Sequence, residues 1–340
     1  MKEEAGLSHD FSTAHTNSSS LLGGPATLTV DDLAQMAQTN SEDVREFWVA
    51  MGFPSPRAEE KVFTENDARL FIEWSKFIAS GAIDQATARS LLRANSHLAD
   101  RLGLWQVEAL VEDTMRRYGL DDTAARMYVL DHIRERVDMF DELLRHSWRR
   151  QLDALLKRMD HEIATRGHEG LQPRFPLNRS LGFVDMVSYT SSSTILGGRL
   201  VDLIGRFEQL SRDAVTDAGG RVVKMIGDAV MYIADDLETG LRVAVSLIEQ
   251  LGADDQMLPV RASFVRGDVF SRSGDVFGPT VNLASRLVDI APVGKILMDP
   301  TTAAAIAAGK AGMGYDVEEF PSATLRGFGT ISPYLLTYRH

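Results

Sequence analysis

Apolar residues in the first half of the chain recur every three or four positions, which is the period of amphipathic α-helices. Thr29, with Asp32 three places later, predicts a helix start, and a second helix is predicted after Ser41. Two further helices are predicted over residues 91–102 and 104–118, so this half is expected to be all-α. One more helix is predicted between the second helix and residue 91, and Thr64 caps it. Its apolar residues are Leu70, Phe71, Trp74, Phe77 and Ile78.

The stretch from residue 121 to residue 166 contains neither glycine nor proline, which predicts one long helix or two helices in near-continuity. Burial of its apolar seam within its own domain and a coiled coil between subunits are both open from the pattern alone. Glycines and prolines between residues 167 and 176 then predict a linker. The seam advances in steps of three or four residues: Leu130, Ile133, Val137, Phe140, Leu144, Trp148, Leu152, Leu155 and Met159.

The second half alternates short apolar runs with helical periods, which predicts an α/β or α+β sandwich. Gly227 and Asp228 separate two of the runs, and this spacing predicts a β-hairpin. The predicted helices cover residues 200–218, 237–251 and 281–290, and the predicted strands cover residues 181–189, 222–226, 229–233, 260–265, 295–298, 315–320 and 334–338.

The two runs of the predicted hairpin are too apolar to face water, yet the hairpin carries Lys224 in its first run and Asp228 at its tip. Each needs a partner, because a buried unpaired charge is costly. Mutual pairing is the simplest interpretation of the hairpin alone. Asp185 interrupts another apolar strand, and two such carboxylates brought together would suit two Mg²⁺ or Mn²⁺ ions, which prefer oxygen ligands.

A second group of polar residues follows in the predicted helix after Pro279, a residue that suits a first helical turn. Asn282 and Arg286 are four residues apart, so they share one helix face. Taken alone, the two residues also allow purely local roles, with Arg286 pairing an acid and Asn282 capping.

Composition narrows the class of protein. The 340 residues suffice for two domains, and the net charge of −12 argues against nucleic acid as a partner. Without cysteine there are no disulfides and no thiolate sites, and no apolar run approaches the ~20 residues of a membrane span. We therefore expect a cytoplasmic protein without a membrane partner. Residues 1–26 are polar and aperiodic, which predicts a disordered tail.

Three segments of the second half resemble the signature segments of class III nucleotidyl cyclases. They are FVDMVSYT at residues 183–190, VKMIGDAVM at 223–231 and GDVFGPTVNLASR at 274–286. The resemblance covers about residues 175–339 and keeps the family's order and separation. It implies a ferredoxin-like βαββαβ core and a head-to-tail homodimer with active sites at the subunit interface.

The resemblance also implies roles for individual residues. Asp185 and Asp228 would hold the two divalent cations, so that the ribose 3′-hydroxyl can attack the α-phosphorus. Lys224 and Asp275 match the base-selecting pair, an ammonium for adenine N1 and a carboxylate for the 6-amino group. Guanylate cyclases of the family usually have Glu and Cys there, so ATP is the expected substrate.

Three further positions complete the implied site. Asn282 would orient the ribose, Arg286 would stabilise charge on the α-phosphate, and Arg326 matches a phosphate-binding position where the family often has lysine. Lys224 would serve one active site of the dimer and Asp228 the other. Gly182 and the Ser188–Tyr189 pair depart from the family pattern around the first metal strand, and Pro279 occupies a variable place.

The first half has looser resemblances. Residues 29–78 resemble the helix-turn-helix start of MerR-type transcription factors, but residues 28–80 hold ten acidic and five basic side chains. A DNA-binding domain should hold more basic than acidic side chains, because phosphate neutralisation supplies most of the affinity. The helical part with its long helix also resembles the regulatory segment of actinobacterial, acid-responsive adenylate cyclases. Seven of the eight histidines precede the cyclase-like half, and His146 and His161 lie on the long helix, which favours regulation by pH. Surface positions without a regulatory role are the alternative for these histidines.

The sequence therefore predicts an all-α regulatory domain followed by an α+β catalytic domain. The expected boundaries are a tail at residues 1–26, a helical domain at 27–166, a linker at 167–178 and a cyclase domain at 179–340. The expected activity is conversion of ATP to 3′,5′-cyclic AMP and pyrophosphate. The alternative function is a DNA- or protein-binding regulator whose cyclase-like domain is inactive and only dimerises.

Overall fold

The computed structural model describes residues 18–166, 177–187, 199–272, 274–309 and 314–338. The chain divides into two compact units with the boundary between residues 169 and 170. In the described residues, the elements of the first unit are helices and the second unit mixes helices with a sheet, as the sequence predicts. None of the helices in the described ranges combines the length and the apolar content needed to cross a membrane.

Besides a helical turn at residues 18–21, the described part of the first unit contains six helices. They are α1 (Val30–Ala37), α2 (Ser41–Ala50), α3 (Glu65–Ala79), α4 (Gln85–Tyr118), α5 (Asp122–His132) and α6 (Arg134–Arg166). The predicted capping box at Thr29 and Asp32 forms, and Thr64 forms another with Asp67. These caps satisfy amide groups that the first helical turn leaves without partners. The core between the first three helices holds Val30, Leu33, Val44, Phe47, Phe63 and Phe71.

Two sequence predictions for this unit need correction. The helices predicted over residues 91–102 and 104–118 are one helix, α4, because Gly103 lowers helix stability without breaking the backbone pattern. Residues 18–26 are not a disordered tail: residues 18–21 form a helical turn, and Asn66 Nδ2 donates to the Leu22 carbonyl at 2.9 Å. Residues 1–17 lie outside the described residues.

The predicted long helix exists as α5 and α6, which are separated at Ile133. The first part of its apolar seam, at Ile133, Val137 and Phe140, is half-buried, but most of the seam is exposed. Trp148 is 60% exposed and Ile163 is 66% exposed, and Leu144, Leu152, Leu155 and Met159 are also exposed. Of the two interpretations that the pattern left open, the exposure of these residues argues against burial within the helical unit.

The second unit contains ten strands and four helices in its described part. The helices are α7 (Arg199–Asp217), α8 (Leu237–Gly252), α9 (Pro279–Ile290) and α10 (Pro300–Ala308). The strands are β1 (Leu177–Met186), β2 (Arg221–Ile226), β3 (Ala229–Ala234), β4 (Val260–Arg272), β5 (Asp275–Phe277), β6 (Ile296–Met298), β7 (Tyr315–Glu319), β8 (Ala323–Leu325), β9 (Gly329–Ile331) and β10 (Tyr334–Tyr338).

Strand order confirms the ferredoxin-like core. The main sheet runs β2-β3-β1-β4-β6-β10-β7, and β5 pairs with β4 outside this path. The first four strands are antiparallel and follow the chain order βαββαβ, with α7 and α8 as the connecting helices. The first strand begins at Leu177, so two residues of the predicted linker belong to the sheet. It ends at Met186, and residues 188 and 189 lie outside the described residues.

Side chains on the two faces of this sheet enter two separate cores. Val184, Val230 and Tyr232 pack on the face covered by α7 and α8. Leu181, Phe183 and other side chains pack on the opposite face, against α9. Because side chains alternate along a strand, Asp185 projects to the same face as Phe183, the side of α9.

Candidate active site

Asp185 and Asp228 lie on neighbouring parts of the sheet. Asp185 is the second-last residue of β1, and its cross-strand partner on β3 is Ala229, the residue after Asp228. The Met186 amide donates to the Asp228 carbonyl at 3.0 Å, which ties the hairpin tip to the end of β1. The two carboxylates that the sequence assigns to the cations are therefore brought together.

Asp185 faces an arginine that the sequence analysis did not single out. Arg261 Nε and Nη2 donate to Asp185 Oδ2 at 3.1 and 2.8 Å, and the Asp185 side chain is 18% exposed. Burial raises the pKa of Asp185. Arg261 opposes this effect, and the charges of Asp228 and Asp289 raise the pKa further, so that the net direction is upward.

This electrostatic setting fits a cation site. The carboxylates of Asp228 and Asp289 act on Asp185, which among the described residues is paired with one arginine, so further positive charge would be stabilised there. Carboxylate oxygens are the ligands that Mg²⁺ and Mn²⁺ prefer. In the described part of the chain, no group of three or more His, Cys, Asp or Glu residues has the geometry of a complete metal site. Asp185 and Asp228 would thus supply only part of the coordination.

Lys224 pairs with Asp275 and not with Asp228, so the simplest interpretation of the hairpin was wrong. The Lys224 Nζ lies 2.6 Å from Asp275 Oδ2. An irregularity in β2 between Val222 and Lys224 places Lys224 opposite Met231, on the α9 side of the sheet. Burial raises the pKa of Asp275. Two hydrogen bonds, from Lys224 and from the Val276 amide, and the charge of the lysine outweigh this effect, so that the pKa is lowered.

Asn282 and Arg286 share the exposed side of α9, as their spacing predicts. The opposite side of the helix buries Ala284, Leu287 and Val288 in the sheet. Pro279 is at the start of the helix. Arg286 Nη1 lies 3.5 Å from Asp289 Oδ2, and Arg261 Nη1 donates to the Asp289 carbonyl at 2.5 Å.

Arg326 lies in the turn between β8 and β9 and is exposed. Across the described residues it makes no hydrogen bond or ion pair with the other six predicted site residues.

Sequence reasoning missed Arg261 and Asp289. The signal for Arg261 was a cation within an apolar strand, but its position opposite Asp185 depends on a register between strands 76 residues apart. Asp289 is three residues beyond Arg286, a spacing that brings side chains together on a helix.

The ferredoxin-like sheet, with paired carboxylates at the β1 end and a Lys–Asp pair at β2 and β5, is the arrangement that the resemblance to class III nucleotidyl cyclases implies. No family model matches the sequence. An adenylate cyclase of Glutamicibacter nicotianae is 36% identical over 326 residues, which cover 93% of this chain and 80% of that protein. The chain therefore belongs to the adenylate cyclase family.

Two other comparisons are more limited. A pH-sensitive adenylate cyclase of Mycobacterium tuberculosis is 32% identical over 143 residues, 41% of this chain and 36% of that protein. The crystal structure of the adenylyl cyclase CyaB from P. aeruginosa is 18% identical, with a TM-score of 0.43. That similarity covers 50% of this chain and 98% of the other.

Proposed function

We propose that the chain converts ATP to 3′,5′-cyclic AMP and pyrophosphate in a homodimer that uses two divalent cations. The observation that carries the proposal is the contact between Lys224 and Asp275, a donor and an acceptor 2.6 Å apart on a partly open surface. The Lys224 ammonium would donate to adenine N1, and the Asp275 carboxylate would accept from the 6-amino group. A guanine offers the reverse donor and acceptor pattern, so the pair favours ATP.

Asp185 and Asp228 would hold the two cations, Mg²⁺ or Mn²⁺. When bound, the cations would supply activation of the ribose 3′-hydroxyl and neutralisation of the triphosphate. Arg261 now neutralises Asp185 from across the strand pair. Its guanidinium would have to move as Asp185 takes up a cation, because both bind the same carboxylate.

Asn282 and Arg286 would act on the sugar and the reacting phosphate. The amide of Asn282 would orient the ribose, and the guanidinium of Arg286 would stabilise the charge that develops on the α-phosphate. A donor of this kind is typically worth about 10²–10³ in rate. Arg326 would contact the triphosphate, and this assignment rests on the sequence resemblance alone.

Two observations support the homodimer. Within one chain, the described contacts connect Lys224 to Asp275 and Asp185 to Arg261, but no described hydrogen bond or ion pair connects the two groups. This separation suits active sites that take one group from each subunit. The exposed apolar seam of α6 is also a surface that a second copy of the helix would cover.

The helical unit would regulate the cyclase, and mild acid is the proposed stimulus. The pH-sensitive relative supports this proposal. His146 lies on α6 and is exposed, whereas the side chain of His161 lies outside the described residues. An activity ratio between the full chain and residues 175–340 that stays constant from pH 5.5 to pH 8 would contradict acid regulation. A cytoplasmic location also stays a prediction.

Product analysis tests the function directly. Purified protein is incubated with ATP or GTP and Mn²⁺, beside the Asp185→Ala variant. We expect cyclic AMP and pyrophosphate from ATP, with almost no product from the variant. A protein that only dimerises through an inactive cyclase-like domain would form no product, and a DNA mobility-shift assay would then test the alternative function.

A further inference from the structure

The β1–β4 ladder is interrupted just before Asp185. Strand pairing is regular through Leu181 and Val265 and resumes at Val184 and Ala262, but the two positions between them are not paired. The register is the same on both sides of this gap, so no residue is inserted and the side chains keep their faces. After Val184 and Ala262, the next paired residues are Asp185 and Arg261.

Two hydroxyl groups fill the interruption. The Phe183 amide donates to Ser263 Oγ at 3.1 Å, and the Tyr232 hydroxyl donates to the Ser263 carbonyl at 3.0 Å. Tyr232 begins on β3 and reaches across β1 to β4. Both Tyr232 and Ser263 are fully buried. Burial raises the pKa of the Tyr232 phenol, so its hydroxyl stays protonated and available as a donor.

Gly182 makes this crossing possible. It pairs with Tyr232 across the β1–β3 ladder. A Cβ added at Gly182 would lie 1.9 Å from the Ser263 carbonyl oxygen and 2.5 Å from the Tyr232 hydroxyl oxygen. Any larger residue would therefore displace the tyrosine or separate the strands. This explains why glycine occupies position 182 of β1, the strand that carries Asp185.

We propose that Tyr232 and Ser263 are positioning residues for Asp185. Their hydroxyl groups replace the missing backbone pairing and fix where the end of β1 lies relative to β4 and to β3, which follows the turn that carries Asp228. They touch neither substrate nor cation and act only through the strand. The inference rests on the proposed role of Asp185 in holding a cation.

Tyr232→Phe and Ser263→Ala in the full chain test the inference. Tyr232→Phe keeps the ring but leaves the Ser263 carbonyl buried without its donor, and Ser263→Ala removes the acceptor for the Phe183 amide. Because small misplacements in an active site are costly, we expect the Mn²⁺ dissociation constant to rise about 3- to 10-fold and kcat to fall about tenfold or more. The Mn²⁺ constant is measured by electron paramagnetic resonance without ATP, so it does not depend on catalysis.

Matched controls separate positioning from general stability. Tyr334→Phe removes a hydroxyl on β10, and Ser211→Ala changes a buried serine on α7 whose Oγ has no hydrogen-bond partner within the described parts of the chain. Both should keep wild-type Mn²⁺ binding and kcat. Ser263→Thr retains the hydroxyl and should recover Mn²⁺ affinity relative to Ser263→Ala.

Test variants that melt at lower temperature but match the controls in Mn²⁺ affinity and kcat would overturn the inference. If Tyr232→Phe does not fold, the comparison of Ser263→Ala with Ser263→Thr decides. If the unsubstituted protein binds Mn²⁺ but forms no cyclic AMP, the proposed function fails while the positioning role is still measured.

Discussion

The Lys224 ammonium and the Asp275 carboxylate are 2.6 Å apart although they lie 51 residues apart in the chain. The contact connects the edge strand β2 to β5. Their side chains are 39% and 29% exposed, so both retain room for a second partner. A lysine donor beside a carboxylate acceptor can thus present both functions to one ligand edge.

Exchanging this pair should change the choice of base. In a Lys224→Glu, Asp275→Cys variant we expect kcat/KM for ATP to fall by about 10⁴-fold, because the adenine edge then faces unpaired polar groups. GTP turnover should rise above its level in the unsubstituted protein. Cyclic nucleotide products are quantified by chromatography. Lys295→Glu, at an exposed lysine away from the pair, is the charge control. An unsubstituted protein that turns over GTP faster than ATP would contradict the assignment.

The same pair should not respond to mild acid. The pKa of Asp275 lies below its ordinary value of 3.8, so its contribution to stability is present above that value and is lost only as the pH falls through the lowered pKa. Between pH 5.5 and pH 8 the difference in unfolding free energy between wild type and Asp275→Asn should therefore be constant. Chemical denaturation at several pH values measures it. If the difference becomes smaller as the pH falls from 8 to 5, the pKa of Asp275 is not lowered as the structure indicates.

Arg261 should compete with cations for Asp185. In Arg261→Gln we expect Mn²⁺ binding without ATP to strengthen by about tenfold, the equivalent of one pKa unit, because the cation no longer displaces a guanidinium. Isothermal titration calorimetry measures the constant. Arg206→Gln, which breaks the 2.5 Å pair with Asp254, is the matched control and should leave Mn²⁺ binding unchanged. Equal Mn²⁺ affinity in Arg261→Gln and wild type would show that the arginine does not compete.

Two inactive variants should complement each other. Asp185→Ala and Arg286→Ala are each expected to lose activity by about 10²-fold or more. A shared site implies that their heterodimer keeps one intact cleft, so an equal mixture should regain about a quarter of wild-type activity. Subunit exchange is confirmed by differently tagged chains. Exchange without recovery would contradict sites formed between subunits.

The seam of α6 should contribute to subunit association. Trp148→Lys combined with Leu155→Lys puts two charges on an exposed apolar surface, and we expect the dimer dissociation constant to rise at least tenfold. Sedimentation analysis measures it. Lys157→Glu changes a charged residue on the same helix, paired with Asp153, and should leave association unchanged. If the double variant has the same dimer dissociation constant as the Lys157→Glu control, other surfaces hold the subunits together.

Local pattern was sufficient for much of the fold. Caps at Thr29 and Thr64, the Gly227–Asp228 turn and the proline at the start of α9 all depend on neighbours within a few residues. The hydrophobic period then predicted most of the larger helices and strands. The prediction of two helices on either side of Gly103 was wrong, because a single glycine weakens a helix without ending it.

By itself, the sequence determined most of the order of helices and strands and predicted which side chains would carry chemistry, since both follow from residue type and short-range spacing. Only the tertiary structure decided their partners. Lys224 turned to Asp275, Arg261 came to lie opposite Asp185, and Tyr232 crossed Gly182 to reach Ser263. These contacts depend on the register of strands far apart in the chain, which is set by packing on both faces of the sheet.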